Sequence, residues 1–328
     1  GPECMVLSAV FLIGSYAINA LSPKLAGKFQ VTTTVIKLIP LVLMGVVGVI
    51  VGLANGMTVQ NFTNAVTVVA SKSSALLTAV CATAFAYEGW VIATSINAEL
   101  RDSKKNLPIA LVAGAAIVIV VYILYYVGLA GVVSNQTLME QGQDGVKIAF
   151  STLFSNVGGT LLFVFIIISC LGTLNGLMMG CTRGFYSLAA RHVGPSPETY
   201  QEVSPKTNMA TNSSVLGLLL CVLWLAYFFG ANLVEKSWFG VLSFDSSELP
   251  IITVYALYIP MFIAFMAKQK DLGAFKRFVM PTLGVLGCLF MGYAAVVSHG
   301  MKVVWYLVIF VAIMLIGVFF AKEKKSQQ

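Results

Sequence analysis

Apolar stretches of about twenty residues follow one another along this chain with only short polar connections between them. That length is what a helix needs to cross the roughly 30 Å hydrocarbon core of a bilayer. Helices are therefore expected near 5–21, 30–53, 74–98, 108–133, 158–190, 213–233, 249–267, 278–297 and 303–321. The longest connections, 134–157 and 191–212, leave no room for a soluble domain. The pattern predicts an all-α polytopic membrane protein with about nine transmembrane helices, one transmembrane unit over 1–328.

The third stretch departs from the rule. At its centre stands Phe85-Ala86-Tyr87-Glu88-Gly89-Trp90. A carboxylate at membrane depth is costly unless it faces a cavity, a partner or a proton. Glycine is the residue that most easily lets a helix unwind. Unwound backbone at that depth is tolerated only where it is enclosed by protein or lines a hydrated site. The expectation is a helix broken around Glu88–Gly89, with its free backbone ends aimed at a solute.

Two further stretches carry polar groups inside apolar runs. Lys37 lies about two turns inside the second expected helix, three residues before Pro40. It either snorkels to the cytoplasmic interface or is a buried ammonium that replaces a metal ion or carries a proton. In Ser169-Cys170-Leu171-Gly172-Thr173-Leu174-Asn175-Gly176, Ser169 and Thr173 share a face one turn apart. Their hydroxyls suit an ion or an ammonium. Gly172, Gly176, Gly180 and Gly184 recur every four residues and read as a packing face. Asn175 reads as a bridge between helices.

Composition agrees with a membrane protein and adds a direction. Charged residues are 10% of the chain, against about 25% in typical soluble domains. The net charge of +7 is explained by cytoplasmic loops rather than by nucleic acid. With the C-terminal tail inside, fifteen basic residues fall on the cytoplasmic side, and Lys72, Lys147, Lys236 and Lys302 fall outside. The first residue is then outside. The six cysteines form no C-x-x-C pair, and the two histidines are far apart in sequence, so no metal site, cofactor or enzymatic centre is expected. Asn61-Phe62-Thr63 and Asn135-Gln136-Thr137 match the glycosylation sequon in form.

Taken together, these residues resemble the amino acid–polyamine–organocation superfamily, close to the L-type amino acid transporters and bacterial amino acid permeases. Thr34-Val35-Ile36-Lys37-Leu38-Ile39-Pro40, the Phe85–Trp90 stretch and Ser169–Gly176 carry the resemblance. It implies a LeuT-like inverted-repeat fold of twelve helices, of which the nine here would be helices four to twelve, an N-terminally truncated set. On that alignment 4–72 ends the first repeat, 73–268 forms the second, 269–321 holds two accessory helices and 322–328 is a cytoplasmic tail. The missing first helix would leave half a binding site and no transport by the chain alone. The resemblance makes Phe85 an aromatic gate and assigns the substrate ammonium to the carbonyls of Phe85 and Glu88. Lys37, facing Ser169 and Thr173, would stand in for the sodium ion of sodium-coupled relatives.

The implied function is sodium-independent amino acid transport across the plasma membrane by alternating access, as exchanger or proton-coupled permease. The alternatives are a polyamine or cationic amino acid carrier with Glu88 as counter-charge, and a solute-binding sensor. Animal members link a single-span glycoprotein through a cysteine where Cys4 stands. A free thiol is the preferred reading of Cys4.

Overall fold

A single residue separates the first two helices. Helix α1 (Pro2–Leu21) and helix α2 (Pro23–Ala54) meet at Ser22, whose hydroxyl accepts a hydrogen bond from the Leu25 amide at 3.4 Å. Pro23 occupies the first helical turn, where its missing N–H costs nothing. The polar connection expected before residue 30 is thus the opening of α2. Lys37 consequently lies about 21 Å along the axis from Pro23, about four turns rather than two.

The computed structural model describes residues 2–63, 72–95, 97, 100–246 and 249–320. Helices α3 (Met57–Thr63), α4 (Lys72–Tyr87), α5 (Ile92–Ser95), α6 (Ser103–Ala130) and α7 (Asn135–Gln141) follow α2. Then come α8 (Gln143–Ala189), α9 (Pro197–Tyr200), α10 (Thr211–Phe228), α11 (Leu249–Lys268), α12 (Met280–His299) and α13 (Met301–Phe320). Seven helical runs among the described residues are long and apolar enough to cross a membrane, and the shorter apolar helices Ala75–Ala84 and Ile252–Lys268 occupy two more of the expected positions. Val112 is 73% exposed and Leu223 59%. So much outward apolar surface needs hydrocarbon around it. The chain is an all-α multi-pass membrane protein.

At 47 residues, α8 is too long for one crossing. It is interrupted at Phe154 and Ser155, the latter at φ 61°, which separates a short first arm from the longer apolar part. The sequon asparagines are occupied at this end. The Asn61 amide donates to the Ala130 and Val133 carbonyls at 2.6 and 2.9 Å, and the Asn135 amide donates to the Asn61 carbonyl at 2.8 Å. They tie α3 to the end of α6 and the start of α7.

The main interfaces sort the helices into two groups. In one, α2 presses on α6 through small residues: Gly48 meets the Gly128 backbone and Gly52 meets Gly131, so any Cβ there collides with main chain. Met44, Leu129, Ala149, Phe150 and Leu162 form the core beside this contact, and α1, α8 and α10 pack onto the same body. In the other, Leu77, Cys81, Leu249, Ile252, Ala294 and Val303 join α4, α11, α12 and α13. Helix α4 packs on α12, whereas α5 packs on α8. The chain passes from one group to the other in the four residues between α4 and α5.

Candidate functional site

Those four residues are the expected break. Helix α4 stops at Tyr87, Glu88 and Gly89 are non-helical, and Trp90 and Val91 turn into α5. Gly89 has φ +121°, a conformation that costs a residue with a side chain about 1–3 kcal/mol. The Glu88 amide still donates to the Ala84 carbonyl at 3.1 Å, and helical bonding resumes with Ile92 to Gly89 at 3.1 Å.

Partners arrive from both helix groups. Tyr122 of α6 donates its hydroxyl to the Ala86 carbonyl at 3.1 Å, and its ring meets the Tyr87 ring at 5.1 Å. Tyr258 of α11 donates to Glu88 Oε1 at 2.9 Å and lies 5.2 Å from the Trp90 ring. The other carboxylate oxygen, Glu88 Oε2, is buried without a hydrogen-bond partner among the described residues. A buried acceptor left so is costly, about 1–3 kcal/mol or more for a charged group, and invites a hydrogen-bond donor or a cation. Tyr87 and Trp90 remain substantially exposed. The side chain of Phe85, the expected aromatic gate, lies outside the described residues.

The second constellation is set by the α2–α8 contact. Gly172 packs on Thr33 and Gly176 on Gln30, so the helices run antiparallel. One turn further on, the same register brings Ser169 to the level of Lys37. Lys37 and Ser169 are half-buried, while Thr173 is exposed. Asn175 makes the polar bridge, with its amide donating to Gln30 Oε1 at 2.9 Å and to the Ala26 carbonyl at 3.2 Å. It also accepts from the Asn19 amide at 2.9 Å. Gly180 meets Ile92 of α5, whereas Gly184 faces open space. The packing face therefore ends one turn earlier than its spacing suggests.

Sequence reasoning missed Tyr122, Tyr258, Asn19 and Gln30. Tyr255 and Tyr258, three residues apart on α11, were a signal: two tyrosines on one face of an apolar helix need polar partners. Asn19 and Gln30 flank the α1–α2 turn, where polar residues look like loop. Among the described residues no group of three potential metal ligands occurs.

Residues 2–319 match the amino acid permease family, and the chain belongs to it, within the amino acid–polyamine–organocation superfamily. It is similar to the serine/threonine exchanger SteT of Bacillus subtilis (strain 168), 27% identical over 304 residues, covering 90% of this chain and 64% of that protein. It is also similar to the b(0,+)-type amino acid transporter 1 of Oryctolagus cuniculus, 28% identical over 184 residues, 56% of this chain and 37% of the relative. The cadaverine/lysine antiporter of Escherichia coli (strain K12) is 22% identical over 336 residues, 100% of this chain and 70% of the antiporter. The chain thus spans somewhat under two thirds of the exchanger's length.

Proposed function

We propose that this protein carries amino acids across the plasma membrane without sodium, as an exchanger or a proton-coupled permease, by alternating access. The observation that carries the reading is the break at Glu88–Gly89, which joins α4 of one helix group to α5, packed on the other. Unwound backbone at such a joint offers carbonyl dipoles to an ammonium and amides to a carboxylate. Movement of one group against the other would remake the site's two exits. In this reading Phe85, Ala86, Tyr87, Glu88, Gly89 and Trp90 line the substrate, and the carbonyls of Phe85 and Glu88 take its α-ammonium. Lys37, level with Ser169 and with Thr173 a turn beyond, supplies a fixed positive charge where sodium-coupled relatives hold an ion. The names of the exchanger and the b(0,+)-type transporter support an amino acid as substrate.

The test is uptake of a panel of radiolabelled amino acids into proteoliposomes that hold the full-length protein, with sodium or with choline in the bath. At least one amino acid should accumulate equally in both. Flat uptake across the panel, or accumulation only with sodium, overturns the reading.

A second reading, a carrier of cationic amino acids or polyamines, is favoured by the unpartnered Glu88 Oε2 and by the similarity to the cadaverine/lysine antiporter. Competition by arginine or putrescine against a neutral amino acid separates the two.

A further inference from the structure

The proposed transport site leaves unused a cleft of about 960 Å³ between α1, α8 and α10. Its walls are almost wholly apolar, but Cys170 and Cys181 of α8 and Cys221 of α10 all line it. Two of these thiols belong together. Gly217 lies one turn before Cys221, and α10 presses there against the Cys181 carbonyl so closely that an added Cβ would strike it. Cys181 and Cys221 thus stand on the two sides of one helix crossing, and both face the same cleft. Both are reduced, and both reach the surface, Cys181 exposed and Cys221 partly so. Cys170 is about 16 Å further along α8 from Cys181, too far to share the Cys221 thiol.

The setting restricts what can react. A thiolate is strongly disfavoured at hydrocarbon depth, and charged thiol reagents do not partition there. A neutral, lipid-soluble species that seeks soft sulfur is the matching ligand, because opposed sulfur donors select soft metal ions. We propose that Cys181 and Cys221 form a dithiol site, open to the bilayer, for a neutral soft-metal halide that clips α8 to α10. With mercuric chloride the step balances without an oxidant: two S–Hg bonds replace two Hg–Cl bonds, and the two thiol protons leave with the two chlorides as hydrogen chloride.

The test uses the full 328-residue chain in proteoliposomes, with a protease site inserted in the connection between α9 and α10. Cleavage puts Cys181 and Cys221 on separate fragments. After one equivalent of mercuric chloride the fragments should run joined on a denaturing gel without thiols, and should separate when dithiothreitol strips the metal. Joining should be lost in Cys181→Ser and in Cys221→Ser, and kept in Cys170→Ser. Cys181→Ala and Cys221→Ala, checked for a monodisperse elution profile, guard against misfolding of the serine variants. Fragments that separate in the unsubstituted protein overturn the proposal, as does joining that survives loss of either thiol.

Discussion

At the scale of the residue, Glu88 at the break and Lys37 within α2 lie in different settings. Glu88 has one oxygen bonded to Tyr258 and the other buried without a described partner. Removing the Tyr258 hydroxyl leaves both oxygens short of donors, so Tyr258→Phe should lower stability by about 1–3 kcal/mol. Thermal unfolding in detergent measures this. Adding Glu88→Gln to that variant should recover part of the loss, because a neutral amide is cheaper to bury than a carboxylate. No recovery would mean that Tyr258 acts through packing alone. Lys37 lies further along its helix than the sequence suggests, about 21 Å from Pro23. Lys37→Ala is expected to abolish uptake while the protein still elutes as a folded species. Full uptake by the variant would return this lysine to an interfacial role.

At the scale of the element, close helix contacts are decided by where side chains are missing. Gly48 sits against the Gly128 backbone and cannot take even a methyl group without main-chain movement. Gly48→Leu should destabilise by at least the 1–3 kcal/mol typical of overpacking, seen as a lower unfolding temperature. Gly184→Ala should be silent on the same assay, since nothing lies within 4 Å of the added carbon. Equal effects at the two positions would show that glycine content, not contact, sets stability. The spacing of Gly172, Gly176, Gly180 and Gly184 made them one face in the sequence. It took the neighbouring helices to show that the contacts run from Thr33 and Gln30 to Ile92 and stop there.

At the scale of the whole molecule, two helix groups meet at an unwound joint, and loop charge predicts their orientation. The basic residues predict a cytoplasmic C-terminus and an external start for α1. A reporter that fluoresces only in the cytoplasm, fused after Gln328, should be bright, and one that is active only outside should be inactive there. The reverse pattern would discard the orientation and the assignment of inner and outer mouths.

The sequence by itself determined the helical stretches, the break and the family resemblance, because each rests on local composition. Hydrocarbon admits only self-satisfied backbone, so apolar length reads directly as a helix, and a glutamate beside a glycine reads directly as an interruption. Only the tertiary structure decided which side chains complete the break. Tyr122 and Tyr258 come from helices 36 and 170 residues away, and local pattern does not say which partner a tyrosine in an apolar run will meet. It likewise decided that α4 and α5 belong to different packed bodies, and that two distant cysteines share one crossing. Those facts depend on helix register, which short-range pattern leaves open.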